Sequence, residues 1–248
     1  MNAKRKEKKI LCIIPARSGS KGIPHKNIKV FNGKPLLAWC ITQAQESKYA
    51  SQMRIVVSTD SENYAFIARK YGAETPFLRP KEISQDLSTD LECFQHAIDW
   101  LKTNENYCPD IVLQLRPTQP CRKVEDIDKC LDIFMENYEN YDSLRSVVEY
   151  EKSPYKMYTI SDSNDGPPQL NPLYQEVNGI NEPYNQCRQF LPKTYLHQGY
   201  IDIFKTELLD QNKISGSRIY PYVMDKSETI DIDSPHDWAK AEQRLNIV

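Results

Sequence analysis

Two short stretches of the chain carry the residue types needed to handle a polyphosphate. In ILCIIPARSGSKGIPHKNI, an apolar run passes into Arg17, Ser18, Gly19, Ser20, Lys21 and Gly22, with Lys26 shortly after. Glycines let successive backbone N–H groups turn into one concavity, serines add donors, and fixed cations neutralise phosphate charge. The loop matches neither G-x-x-x-x-G-K-[ST] nor G-x-G-x-x-G, so it is not a P-loop or a dinucleotide fingerprint. An ordinary turn with solvent-facing charges would not need this crowding of cations, glycines and serines. Near the other end, Asp231 and Asp233 in ETIDIDSPHDW stand at i and i+2. In an extended segment such side chains point the same way and offer two hard oxygen ligands on one face. Two aspartates before a helix can also serve as caps, but Ser234 is already available as the N-cap.

These stretches must be held by a folded scaffold, and the composition supports one. The chain has 248 residues, 40% of them hydrophobic, with Lys+Arg 32 against Asp+Glu 34. That suits one large α/β domain, is too apolar for disorder, and is too evenly charged for a nucleic-acid backbone binder. The longest apolar stretch, Ile10 to Pro15, is strand-sized and far short of the roughly 18 residues that span a bilayer, so no membrane partner is expected. Residues 1–8 read as a basic, solvated tail before a single domain over 9–248. Seven cysteines make an odd number with no C-x-x-C pair, and the four histidines lack a zinc-ligand spacing. The cysteines therefore read as reduced core thiols of a cytoplasmic protein, and any metal should be held by oxygen.

The hydrophobic periods predict strands at Ile10 to Ile14, Arg54 to Val57, Thr75 to Leu78, Asp110 to Leu115, Tyr200 to Phe204 and Arg218 to Val223. They predict helices over Pro35 to Gln45, Glu62 to Tyr71, Leu91 to Lys102 and Val124 to Asn137. Ser61 should cap the second helix, with Gly72 at its C′ position, and Thr89 with Glu92 forms a capping box for the third. Strands alternating with helices indicate βαβ units in a mainly parallel sheet, with ligands at the carboxyl ends of its strands. From Ser143 to about Lys193 the rhythm changes to tyrosines, prolines and turn residues, which reads as an inserted β-rich arm over about 145–195, for dimerisation or as a lid.

IIPARSGSKGIPHKNI resembles the signature of the acylneuraminate cytidylyltransferases. The resemblance continues through GKPLLAW, VVSTDSE, YGAETPFLRPKEISQD, LRPTQPCR, RQFLPKTY and ETIDIDSPHDWAKAE, nearly the whole chain. It implies a Rossmann-like, mainly parallel twisted sheet flanked by helices, of the nucleotide-diphospho-sugar transferase type. It also implies attack by the anomeric hydroxyl of a 2-keto sugar acid on the α-phosphorus of CTP, with release of pyrophosphate. By resemblance, Ala16, Arg17, Ser18, Gly19, Lys26, Asn27, Arg79, Asp90 and Arg116 lie at the nucleotide. Arg188, Gln189, Lys193 and Gln198 lie at the sugar, where an arginine such as Arg188 suits a carboxylate. Asp231 and Asp233 would hold Mg2+ or Mn2+, Arg17 and Lys26 the triphosphate, and the protein would be a homodimer. No nucleophilic side chain is required, so the cysteines and histidines are read as non-catalytic.

The resemblance departs at three places. Arg116 replaces a glutamine near the base, Asp90 replaces a serine, and Gln198 and Asp202 bring polarity into YLHQGYIDIF where an N-G-A-I-Y-I type strand is common. A guanidinium donates only, so Arg116 must face an acceptor edge or a phosphate. These changes leave two alternatives open, a nucleotidyltransferase using another base or sugar, for example for guanylyl transfer, and a non-catalytic sugar-nucleotide-binding protein.

Overall fold

The computed structural model describes residues 8–161 and 167–245. Strand β1 (Ile10–Pro15) comes first. After the glycine loop, β2 (Val30–Phe31) and β3 (Lys34–Pro35) make a small hairpin, followed by α1 (Leu36–Glu46). Next come β4 (Met53–Ser58), α2 (Glu62–Lys70), α3 (Asp90–Glu105), β5 (Ile111–Gln114) and α4 (Val124–Glu136). Strand β6 (Ser143–Glu149) precedes an excursion with two small hairpins, β7 (Tyr158–Ser161) with β8 (Gln169–Pro172) and β9 (Glu176–Val177) with β10 (Ile180–Asn181). The chain returns through β11 (Tyr195–Lys205), β12 (Ile219–Met224) and α5 (Pro235–Leu245).

Six strands form one sheet in the order β12-β6-β11-β5-β1-β4. Strand β11 is antiparallel to both its neighbours, and the other pairings are parallel, so the sheet is mainly parallel. Alternation along β1 sends Ile10, Cys12 and Ile14 towards α1 and α4, and Leu11 and Ile13 towards α3. All five are fully buried. At roughly 1.5–3 kcal/mol for each large apolar side chain, this strand is a fixed origin for the loop that leaves its carboxyl end. Because the chain moves from β1 to β4 on one side and then to β5 on the other, the switch point lies at these strands' carboxyl ends, where α/β sheets bind ligands.

Local signals place the helix starts well. Thr89 and Glu92 form the expected reciprocal capping box, and Ser61 caps α2. Ser234 and Asp237 exchange hydrogen bonds at the start of α5, so neither Asp231 nor Asp233 is needed as the cap. Two boundaries need correction. Thr75 to Leu78 is not a strand: only Glu74 bridges Val56, and Pro76 supplies no N–H to continue a ladder. Ser143–Glu149 belongs to the central sheet, so the excursion begins after Glu149 and ends where Tyr195 pairs with it. The tail expectation falls outside the described residues except at Lys8, whose ammonium lies 3.8 Å from the Tyr138 ring centroid.

Candidate active site

A cavity of about 510 Å³ opens at the switch point, walled by the glycine loop, the start of α3 and the segment after β5. The loop is fastened at several points. Asn27 Nδ2 donates to Arg17 O at 3.0 Å. Lys26 Nζ donates to Ile232 O at 2.6 Å and to Asp233 Oδ1 at 2.9 Å. Gly22 lies so close to the Asp233 carbonyl that a Cβ there would stand 2.3 Å from its oxygen, which excludes any larger residue. Among the described residues, the amides of Gly19, Lys21 and Gly22 have no acceptor within the chain. Arg17, Lys21 and Lys26 all line the cavity. Lys21 and Gly22, with unpaired amides, stand beside three cations at one cavity, a combination that suits an anion.

Not every residue expected there contributes a side chain. Ala16 is fully buried and its N–H goes to Ser58 O, so it anchors the loop from below. Ser18 is turned to Asp60, and Gly19 sits in open space. The opposite wall carries Arg79, which is 6% exposed and leaves its Nε without a partner. Asp86 was not anticipated from the sequence. Its carboxylate lies 2.6 Å from Lys21 Nζ and 3.3 Å from Arg17, while Arg17 also donates to Gln85 O. The Lys21 hydrogen bond holds the Asp86 carboxyl below its ordinary range. Asp86 thus pairs with two of the cations that line the cavity.

Arg116 faces carboxylates. It donates to Asp90 Oδ2 at 2.8 Å, beside a 3.0 Å bond from Gln114, and stands 3.7 Å from Asp202. The guanidinium thus meets acceptors, as a group that only donates must, and it also lines the cavity. Asp202 is 2% exposed and also meets His197 Nε2 at 2.8 Å. A register shift between His197 and Asp202 on β11 brings this pair together. Gly199, at φ +61, permits the bulge, and a Cβ there would meet the Arg116 guanidinium at 2.3 Å. The departures at Asp90, Arg116 and Asp202 are therefore one connected cluster. Arg122, buried and unanticipated, fixes the Arg116 segment by donating to Arg116 O at 3.0 Å and to Gln43 Oε1 at 2.9 Å.

The two aspartates share a segment but not an environment. Asp233 lies at the cavity rim on Lys26, whereas Asp231 Oδ1 is buried without a hydrogen-bond partner. Burial pushes the Asp231 carboxyl up against the lowering effect of a Thr118 hydrogen bond, and the Asp233 charge adds to the rise. An orphaned carboxylate oxygen next to a second carboxylate is the environment a hard divalent cation relieves, so the pair fits Mg2+ or Mn2+. Among the described residues, no three metal-type side chains gather.

The four residues expected at the sugar are not brought into this cavity. Arg188, Gln189 and Lys193 line a separate hollow of about 220 Å³ at the base of the excursion. There Arg188 donates to Glu151 O at 3.0 Å and Lys193 pairs with Glu149 at 2.9 Å. Gln198 lines neither cavity: its backbone carbonyl accepts from Gln119, and its Oε1 accepts from Thr229.

A family model described as cytidylyltransferase matches residues 11–207. The CMP-N,N'-diacetyllegionaminic acid synthase of Legionella pneumophila is 36% identical over 96% of this chain and 97% of its own. The N-acylneuraminate cytidylyltransferase A of Danio rerio is 30% identical over 98% of this chain, which spans 52% of that longer protein. Among solved structures, a CMP:2-keto-3-deoxy-manno-octonic acid synthetase complexed with CTP superposes with TM-score 0.67 at 15% identity, covering 96% of this chain and 98% of that one. The last match is one of fold, while the first three extend the likeness of IIPARSGSKGIPHKNI along the sequence. The chain belongs to the cytidylyltransferase family, among its acylneuraminate-type members.

Proposed function

We propose that this protein transfers CMP from CTP to the anomeric hydroxyl of a nonulosonic, sialic-acid-like 2-keto sugar acid and releases pyrophosphate. The observation that carries the reading is the meeting of the three-cation loop with Asp233 at one cavity, with the buried Asp231 two residues away, in a chain of this family. In the reaction the sugar hydroxyl oxygen bonds to the α-phosphorus, the bond from that phosphorus to the bridging oxygen breaks, and the hydroxyl proton leaves to solvent. Arg17, Lys21 and Lys26 neutralise the phosphates and the departing pyrophosphate, and the loop amides fix the chain of phosphates for in-line attack. A divalent ion held by Asp231 and Asp233 would add charge neutralisation at the phosphates. Magnesium-dependent pyrophosphate release should appear with CTP plus a nonulosonic acid, and with neither alone. A panel with no pyrophosphate above background would reject the reading and leave a binding protein.

One observation bears on the choice of base. The Asp90–Arg116 pair presents an acceptor beside donors, which suits a ring carrying an amine and a carbonyl, as cytosine and guanine do. Arg116→Gln should narrow the preference for CTP over UTP by about tenfold, the low end of what a well-placed polar pair discriminates. Rates with CTP, UTP, GTP and ATP check this. An unchanged ranking with rates within twofold would remove Arg116 from base choice.

A homodimer also belongs to this reading. The β7–β8 hairpin is solvent-exposed and carries Ile160 and Leu170 at 69% and 62% exposure, with Leu173 just after it and Phe190 later in the excursion also exposed. Apolar side chains at this density on one excursion suit a second copy. Light scattering at micromolar concentration should give twice the chain mass, and a monomer would reject the assignment. The cytoplasm suits seven free thiols, and no described helix is long and apolar enough to cross a membrane.

A further inference from the structure

The glycine loop is gripped from beneath by residues that do not line the cavity. Asp60, just after β4, accepts from Ser18 N–H at 2.8 Å through Oδ1 and from the Ser18 hydroxyl at 2.7 Å through Oδ2. One turn into α2, Tyr64 is 1% exposed and places its hydroxyl 3.5 Å from Ser18 O and 3.2 Å from His25 Nδ1. With Nδ1–H donating to the phenol and the phenol donating to Ser18 O, one hydroxyl joins the two ends of the loop. The grip follows from local sequence. In STDSENY, Ser61 caps α2 and Ser61 N–H goes to Thr59, so Asp60 and Tyr64 have little freedom to turn elsewhere.

Ser18 immediately precedes the residues whose amides lack an acceptor within the chain, and Ser20 N–H already folds back onto Ser18 O at 3.1 Å. The orientation of Ser18 thus sets where the following N–H groups point. We propose that Asp60, assisted by Tyr64, is a positioning residue for nucleotide use: it holds the glycine loop in the conformation that receives the triphosphate without itself touching it. This rests on the nucleotidyl-transfer reading for its ligand, but not on the identity of the sugar or the base.

Charge and position make opposite demands at Asp60, which permits a clean test. A carboxylate beneath a phosphate site repels the ligand, so a purely electrostatic role predicts tighter triphosphate binding once the charge is removed. A positioning role predicts weaker binding, because the loop loses its anchor. Asp60→Asn keeps one carbonyl acceptor for Ser18 N–H, whereas Asp60→Ala keeps none.

The experiment measures calorimetric Kd for CTP and for inorganic triphosphate, kcat and KM for both substrates, and melting temperature, in wild type, Asp60→Asn, Asp60→Ala and Tyr64→Phe. The expected order of nucleotide affinity is wild type, then Asn, then Ala. The Ala variant should lose about tenfold or more, as misplacement of a binding loop by a fraction of an ångström implies. KM for the sugar acid should stay within twofold, and Tyr64→Phe should fall between wild type and Asp60→Ala. Equal or tighter triphosphate binding in either Asp60 variant would overturn the proposal. So would a loss in which sugar KM and melting temperature worsen in step with nucleotide affinity. If the proteins bind triphosphate in this order but wild type transfers nothing to any sugar acid, the transfer reading fails while the positioning role stands.

Discussion

Asp233→Asn is expected to change sign with the metal. With Mg2+ present, turnover should fall on the order of a hundredfold or more, since a neutral amide is a poor ligand for a hard cation and charge at the phosphates would go uncompensated. With a chelator present, CTP binding should instead tighten. In the free protein Asp233 Oδ1 lies 2.9 Å from Lys26 Nζ, so removing its charge releases a cation to the triphosphate and takes a negative charge from the cavity rim. Asp231→Asn should lose turnover without the chelator effect, because Asp231 is not among the lysine's hydrogen-bond partners and its Oδ1 is buried. Calorimetry with and without EDTA, beside steady-state kinetics, measures both arms. Full activity in either variant, with unchanged chelator sensitivity, would remove that carboxylate from the metal site.

The features that were legible in the sequence are those whose signal is local. An apolar run followed by glycines and cations located β1 and its loop, and Thr89 with Glu92 located the start of α3, because each depends on residues within a turn of one another. The strand expected at Thr75 to Leu78 is absent for a local reason too, since Pro76 has no N–H to give a ladder. Ser143–Glu149 looks like part of the arm in sequence, because its ladder partners lie in β11 and β12, far along the chain. Distance in sequence also explains what went unseen in the site. Asp86 meets Lys21, Asp60 meets Ser18, and Asp202 meets Arg116 only after the sheet has assembled. None of these aspartates sits at a spacing that distinguishes it from a solvated surface charge. The resemblance flagged Asp90, Arg116 and Asp202 as separate departures, and only the bulge at Gly199 shows why they occur together.

Among the loop cations, Lys26 is expected to matter more than Arg17, and the reason lies in what each touches before substrate arrives. Lys26 Nζ bonds both Ile232 O and Asp233, so it ties the glycine loop to the segment bearing the metal-type carboxylates. Arg17 leans on Asp86 and the Gln85 carbonyl, where Lys21 shares the same carboxylate. Lys26→Ala therefore removes a phosphate partner and loosens the acidic segment, whereas Arg17→Ala removes one cation of a pair. The expected loss in kcat/KM for the nucleotide is a few kcal/mol for Lys26→Ala, about 10²–10³-fold, the scale on which single charged donors stabilise transferring groups. For Arg17→Ala it should be smaller by about tenfold, because the freed Asp86 still has Lys21 to neutralise it. Lys26→Arg should restore little, since a planar fork does not fit where a point charge is 13% exposed and bonds a carbonyl and a carboxylate at once. Affinity for cytidine, which carries no phosphate, should stay within twofold in all three variants, separating phosphate handling from base recognition. Equal losses of cytidine and CTP affinity would mean that the loop shapes the whole cavity; a change below threefold in nucleotide kcat/KM for Lys26→Ala would mean that it carries no phosphate.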